Sequence, residues 1–215
     1  MNPLALALLH LSCVSPLITA PAPAAAAPPV EEAAPPPEPA PILASDPHTL
    51  REGAAAAGLP WPPPDLRLTL EKGARALTAL SGDQALKRYR VGLGDPEGDK
   101  ERQGDRRTPE GELRIVTRNT KSQFHKFLGI SYPNAEDARR GVKAGLISES
   151  TATSILAADA ARRVPPWNTA LGGAVGIHGG GGQVDWTLGC VAVTDDEIDE
   201  LFEVVKIGTR LSVSP

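Results

Sequence analysis

Fourteen of the 22 prolines in this chain fall between residues 21 and 64, in stretches such as "PAPAAAAPPVEEAAPPPEPAP" and "LPWPPP". Proline fixes φ and has no amide hydrogen, so such runs build neither helix interiors nor inner strands. The alanines between them have little apolar surface to bury, and the segment is expected to stay extended as a tether. Within it, Thr49 to Gly58 ("TLREGAAAAG") is at most a short helix. Any sizeable core must therefore come from residues 65–215, enough for one ordinary domain.

Ahead of the tether, residues 1–20 form an uncharged apolar run broken by Pro3 and Pro16. The run is too short and interrupted to span a bilayer. It reads as a secretory signal with small residues after Ile18 for cleavage, although no Lys or Arg precedes it. A lipid anchor on Cys13 ("HLSCVSP") is the competing reading, against which His10 stands where a leucine-like residue is expected. Once a signal is removed, Cys190 is the one cysteine left, so no internal disulfide can hold the fold. A net charge of −4 and 4% aromatic residues supply neither a basic groove nor a stacking platform, which argues against a nucleic-acid partner. A monomer is expected.

Alternation marks strands in "LRLTLEK", "ARALTALSG", "QALKRYRVGLG", "ELRIVTRN" and "TRLSV". "TPEG" (Thr108–Gly111) has the proline and glycine of a type I turn. Helices are expected from Asn134, a competent N-cap, and over "SESTATSILAADAARRV", stopped by Pro165 and Pro166. A third helix is announced by a Thr194/Glu197 capping box and an apolar stripe of Ile198, Leu201, Phe202 and Val205, with Gly208 as its end. The fold class is mainly β with peripheral α-helices.

One stretch carries chemistry: "GIHGGGGQVDWTLGCVAV", Gly176 to Val193. His178 stands at a strand end, and a glycine-rich loop leads to Cys190, whose strand faces alternate Cys190 and Ala192 against Val191 and Val193. A loop of this kind can fold the imidazole onto the thiol, a nucleophile–base pair. Two quieter readings stand beside it, a buried structural cysteine and a satisfied core histidine. Zinc would have only Cys190, His178 and Asp185, a thin ligand set. No Gly-Lys-Ser/Thr follows the glycines, which argues against a phosphate loop.

The stretch "IHGGGGQVDWTLGC" resembles the signature of YkuD-type L,D-transpeptidases, a His-Gly, a variable loop and Ser/Thr-x-Gly-Cys. "YRVGLG" followed by "GDRRTPEGELRI" is similar to that family's earlier motifs, and "LGISYPNAEDA" to a segment of one periplasmic branch. The likeness spans Leu66 to Val213. It implies a β-rich mixed sheet or sandwich and an exported, periplasmic enzyme that needs no cofactor or metal and acts on peptidoglycan stem peptides, at the L,D bond between diaminopimelate and D-Ala. By the same resemblance Cys190 is the nucleophile, His178 the base and the Gly179 carbonyl the group that orients it. The implied oxyanion donors are amides at Gly189 and Cys190, with Thr187, Trp186 and Tyr132 along the substrate groove. The imidazolium is expected to favour the thiolate and lower the thiol's ionisation. The chain departs from the family at Ala192, where many members carry arginine. A branch with alanine there includes an enzyme that hydrolyses a lipoprotein–peptidoglycan link, so amine and water both stay open as acceptors. A peptidoglycan hydrolase is the alternative within enzymes, and a non-catalytic binding module the alternative outside them.

Overall fold

The computed structural model describes residues 42–215; the expected signal peptide, Cys13 and the first part of the tether lie outside the described residues. Eight strands form one mixed sheet: β1 (Leu66–Glu71), β2 (Ala76–Ser81), β3 (Gln84–Arg90), β4 (Gly111–Ser122), β5 (His125–Ile130), β6 (Gly176–His178), β7 (Val191–Ala192) and β8 (Arg210–Ser214). Their spatial order is β3-β2-β1-β8-β4-β5-β6-β7. With four helices, α1 (Leu50–Ala56), α2 (Ala135–Lys143), α3 (Glu149–Ala160) and α4 (Asp195–Val204), the chain is mainly β, as its alternation implies.

Most neighbours are antiparallel; β1 with β8 and β6 with β7 are parallel. The long strand β4 joins the two halves. Gly111 to Arg114 pair with β8, and Ile115 to Ser122 pair with β5 through two breaks in register. Such irregularities bend a strand and increase its twist. The sheet curls far enough for its two edges to meet: Gly92, just past β3, exchanges backbone hydrogen bonds of 2.9 and 2.8 Å with Ala192 of β7. One apolar cluster fills the curl, including Leu68, Leu77, Leu113, Ile115, Leu128, Ile130, Ile177 and Val191. Ile198, Leu201 and Val204 of α4 enter the same cluster.

Four expectations need correction. The tether does not run to Pro64. Thr49 and Glu52 form a capping box on α1, whose Leu50 and Ala54 are buried in the main cluster. Burying one leucine is worth roughly 1.5–3 kcal/mol, enough to hold a helix that short against the sheet. Upstream of it, Asp46 and Ser45 accept from the amides of Arg88 and Arg90 at 2.8 Å each, covering the open edge of β3. Proline counting missed this because the prolines stop at Pro47 and resume only at Pro60.

Helix α3 ends at Ala160, before its two prolines, with Arg162 at φ 52°. Helix α4 ends at Val204, and Val205 leaves it in extended geometry, so Gly208 belongs to the turn before β8. "TPEG" forms no turn and leads straight into β4.

Candidate active site

The candidate pair belongs to the shortest strands: His178 is the last residue of β6, and Cys190 immediately precedes β7. Ile177 lies opposite Val191 and His178 opposite Ala192. Continuing that register places Cys190 opposite Gly176, on the same face of the pair as His178, because side chains alternate along a strand. His178 is 2% exposed. Its Nδ1 lies 2.6 Å from the Gly179 carbonyl oxygen. A carbonyl only accepts, so Nδ1 carries the hydrogen and Nε2 keeps its lone pair.

Two aromatic rings fix the imidazole plane. Phe124 stacks on it with centroids 4.5 Å apart, and Trp186 meets it edge-on at 5.6 Å. Burial holds the His178 pKa below the usual imidazole range, against the opposite pull of the Gly179 carbonyl. Burial likewise pushes the Cys190 thiol up, opposed by a hydrogen bond from Gly176 and by the positive charge of Lys100. Both shifts favour a neutral imidazole beside a protonated thiol. The expected lowering of the thiol's ionisation is thus reversed, because desolvation outweighs the attraction of nearby charge.

The loop between them is far from loose. Asp185 accepts from Arg75 Nη2 at 2.7 Å and from the Leu93 amide at 2.9 Å. The Thr187 amide donates to the Leu93 carbonyl at 3.0 Å, and Arg90 donates to the Gln183 carbonyl at 2.7 Å. "YRVGLG" is therefore the rail on which the loop lies. A Cβ on Gly92 would stand 2.3 Å from the Val184 carbonyl oxygen, so only glycine permits that approach. Gly180 and Gly181 turn the chain at φ 99° and 104°, and the Gly180 amide donates to Asp195 at the start of α4.

A family model described as the L,D-transpeptidase catalytic domain matches residues 66–213. The chain belongs to the L,D-transpeptidase family. No curated protein matches it. Among solved structures, Bd1075 of Bdellovibrio bacteriovorus is similar at 21% identity and a TM-score of 0.45, over 70% of this chain and 48% of that one. The helical cell shape determining protein Pgp2 of Campylobacter jejuni is similar at 18% identity and a TM-score of 0.47, over 69% and 47%. An L,D-transpeptidase of Xylanimonas cellulosilytica is similar at 15% identity and a TM-score of 0.41, over 76% and 68%. The chain spans about half the length of the first two.

Within this L,D-transpeptidase domain several residues stand differently from expectation. Thr187 is 3% exposed, donates from Oγ1 to the Cys190 carbonyl at 2.8 Å and accepts the Gly189 amide at 3.2 Å. It braces the turn into Cys190 and does not line a groove. The same bond takes up the Gly189 amide that was expected to face an oxyanion. Tyr132 is fully buried, and its hydroxyl donates to the Leu171 carbonyl at 2.9 Å, so it offers no groove contact. Trp186 is half-buried against His178 and Phe124, with Nε1 donating to the Gly181 carbonyl at 3.0 Å. Asp185 is turned to Arg75, away from any shared ligand set with Cys190 and His178.

Phe124 was missed altogether. It sits in the tight turn between β4 and β5, where a lone aromatic makes no periodic pattern. Its carbonyl also accepts the Gly179 amide at 3.1 Å. Among the described residues no helix is long and apolar enough to cross a membrane.

Proposed function

We propose that this chain is an exported cysteine L,D-transpeptidase that acts on peptidoglycan stem peptides through a thioester. The observation that carries the reading is the Nδ1 bond of His178 to Gly179, which leaves Nε2 as a base on the face shared with Cys190. Nε2 takes the thiol proton as sulfur attacks the amide carbon of the donor peptide. The backbone amide of Cys190 is assigned as donor to the oxyanion. The tetrahedral adduct collapses, the C–N bond breaks, and the imidazolium returns its proton to the departing amine. An acceptor amine then gives a proton to Nε2, attacks the thioester and releases the new amide and the free thiol. Water in place of the amine makes the same site a hydrolase.

A thiol that stays protonated at rest suits this sequence, since proton removal is coupled to attack. The test is incubation with disaccharide-tetrapeptides, with products read by mass. Crosslinked dimers are expected from the wild type and none from Cys190→Ala. Tripeptide with free D-Ala would replace transfer by hydrolysis. Turnover by Cys190→Ala would overturn the nucleophile assignment.

A further inference from the structure

Beside the thiol lies a cleft of about 380 Å³ lined by Lys100, Gln103, Trp167, Ala174, Val175 and Leu188. Cys190 adjoins it: Sγ lies 3.9 Å from the Ala174 carbonyl oxygen, and the neighbouring Leu188 forms its rim, 76% exposed. Lys100 is the one charged side chain in this lining and is only 2% exposed. Its Nζ would lie 3.7 Å from a Cβ built on Gly189, one residue before the nucleophile.

The ammonium is held in place and not fully used. Two of its hydrogens go to Asp105 at 2.7 Å and to the Arg102 carbonyl at 3.2 Å. Burial pushes the Asp105 carboxyl up, but donation from the Arg102 amide, Lys100, and the Glu101 and Arg107 amides outweighs it and keeps the group ionised. Asp105 therefore shares its charge among four donors, and Lys100 keeps a third N–H.

A support is built beneath it. Arg140 of α2 donates to the Lys100 carbonyl at 2.6 Å and to Asp137 at 2.7 Å, and it also pairs with Asp99. The Tyr132 ring lies under the ammonium, 5.8 Å from Nζ. "SYPNAEDARR" is thus the foundation of this lysine: Tyr132 supplies the ring, Asn134 caps α2, and Asp137 and Arg140 tie the backbone. Asp105 balances the charge of this buried cation, and the remaining N–H, beside the nucleophile at the cleft, is a charge-assisted donor suited to a carboxylate.

We propose that Lys100 is a specificity residue that binds a free carboxylate of the donor peptide close to its scissile amide. The assignment rests on the proposed function and narrows it to donors that present such a carboxylate. Two groups could supply it, the carboxylate of the terminal D-Ala and the side-chain carboxylate of the diaminopimelate before it.

Binding to the full-length Cys190→Ala protein, measured by calorimetry, separates this proposal from the chemistry. Three tetrapeptides are compared: the free acid, the terminal carboxamide and the diaminopimelate carboxamide. One of the two amides should bind about 10–100-fold more weakly than the free acid, as loss of a charge-assisted hydrogen bond requires. Which one it is identifies the carboxylate. Equal binding of all three would overturn the proposal, whatever the turnover of the wild type.

This comparison needs no change at Lys100, so a folding defect in Lys100→Met does not enter it. In a folded Lys100→Met/Cys190→Ala protein the discrimination should vanish, and its survival would also refute the assignment. With Cys190 present, Lys100→Met should slow alkylation by iodoacetamide, because the lysine charge favours the thiolate. It should in addition raise KM for the free acid while leaving KM for the weaker-binding amide unchanged. An equal change in KM for both donors would assign Lys100 to the thiol alone and overturn its role toward substrate.

Discussion

The half of the sheet built from β1, β2, β3 and β8 and the half that ends in β6 and β7 are held by different means. In the first, β1 pairs with β2 over six residues and with β8 over five, and ladder bonds do most of the work. In the second, β6 and β7 share only two paired positions. Beside a few single backbone bonds such as Gly92–Ala192, what fixes that end is a set of side-chain bonds between Asp185, Thr187, Trp186 and Asp195 and the backbone. Regular pairing aligns whole strands, whereas side chains can aim single groups. The reactive end has exchanged the first device for the second.

The largest effect should come from the aimed end. His178→Gln is expected to lower acylation by about 10²–10⁴-fold with little change in melting temperature. The pH profiles should differ too. Wild-type acylation should rise through an ionisation below the ordinary imidazole value, because burial favours the neutral base. His178→Gln should instead follow the thiol, whose ionisation burial places above the ordinary value. A wild-type rate that tracks thiolate formation in the acid range would show that charge, and not burial, governs the pair.

In the ladder half, Leu68→Ala should cost about 2–5 kcal/mol in denaturant unfolding, since Leu68 is 1% exposed in the main cluster. Activity per folded molecule should be unchanged. A matching loss of turnover would mean that the two halves are coupled and the contrast is false.

Thr187→Val keeps the shape of the side chain but removes both of its hydrogen bonds. About tenfold slower turnover is expected, near the net worth of one or two such bonds, with a smaller change in stability. The reverse pattern would make Thr187 a packing residue only.

The smallest effect belongs to the covered edge of β3. Thr49→Ala should lower stability by about 0.5–2 kcal/mol through loss of the α1 cap, leaving chemistry alone. No change in the denaturation midpoint would return residues 42–57 to the tether.

The same division explains what could be read from the chain alone. Ladder strands announce themselves, since "LRLTLE" alternates and Leu68 and Leu70 are buried as alternation demands. The capping box at Thr194 and the N-cap at Asn134 were equally plain, because a cap is a local arrangement of a few residues. The candidate pair was visible through the glycine loop between His178 and Cys190. The groups around it were not. Phe124, Asp185 and Lys100 gain their meaning from partners 54, 110 and 90 positions away in His178, Arg75 and Cys190, and no local period encodes such meetings. Thr187 and Tyr132 were misplaced for the opposite reason: sitting in the right motif says nothing about which way a hydroxyl points.

The pairing of Gly92 with Ala192 has a consequence for when the site comes into being. Ala192 is two residues beyond Cys190, and its backbone is the clasp that joins the first edge of the sheet to the last. With the clasp undone β7 would still pair with β6, but the loop would lose the Leu93 rail that holds Asp185 and Thr187, and with it the bracing of the turn into Cys190. Closing the ring and setting the approach to the sulfur are then one event, because the same two strand edges serve both.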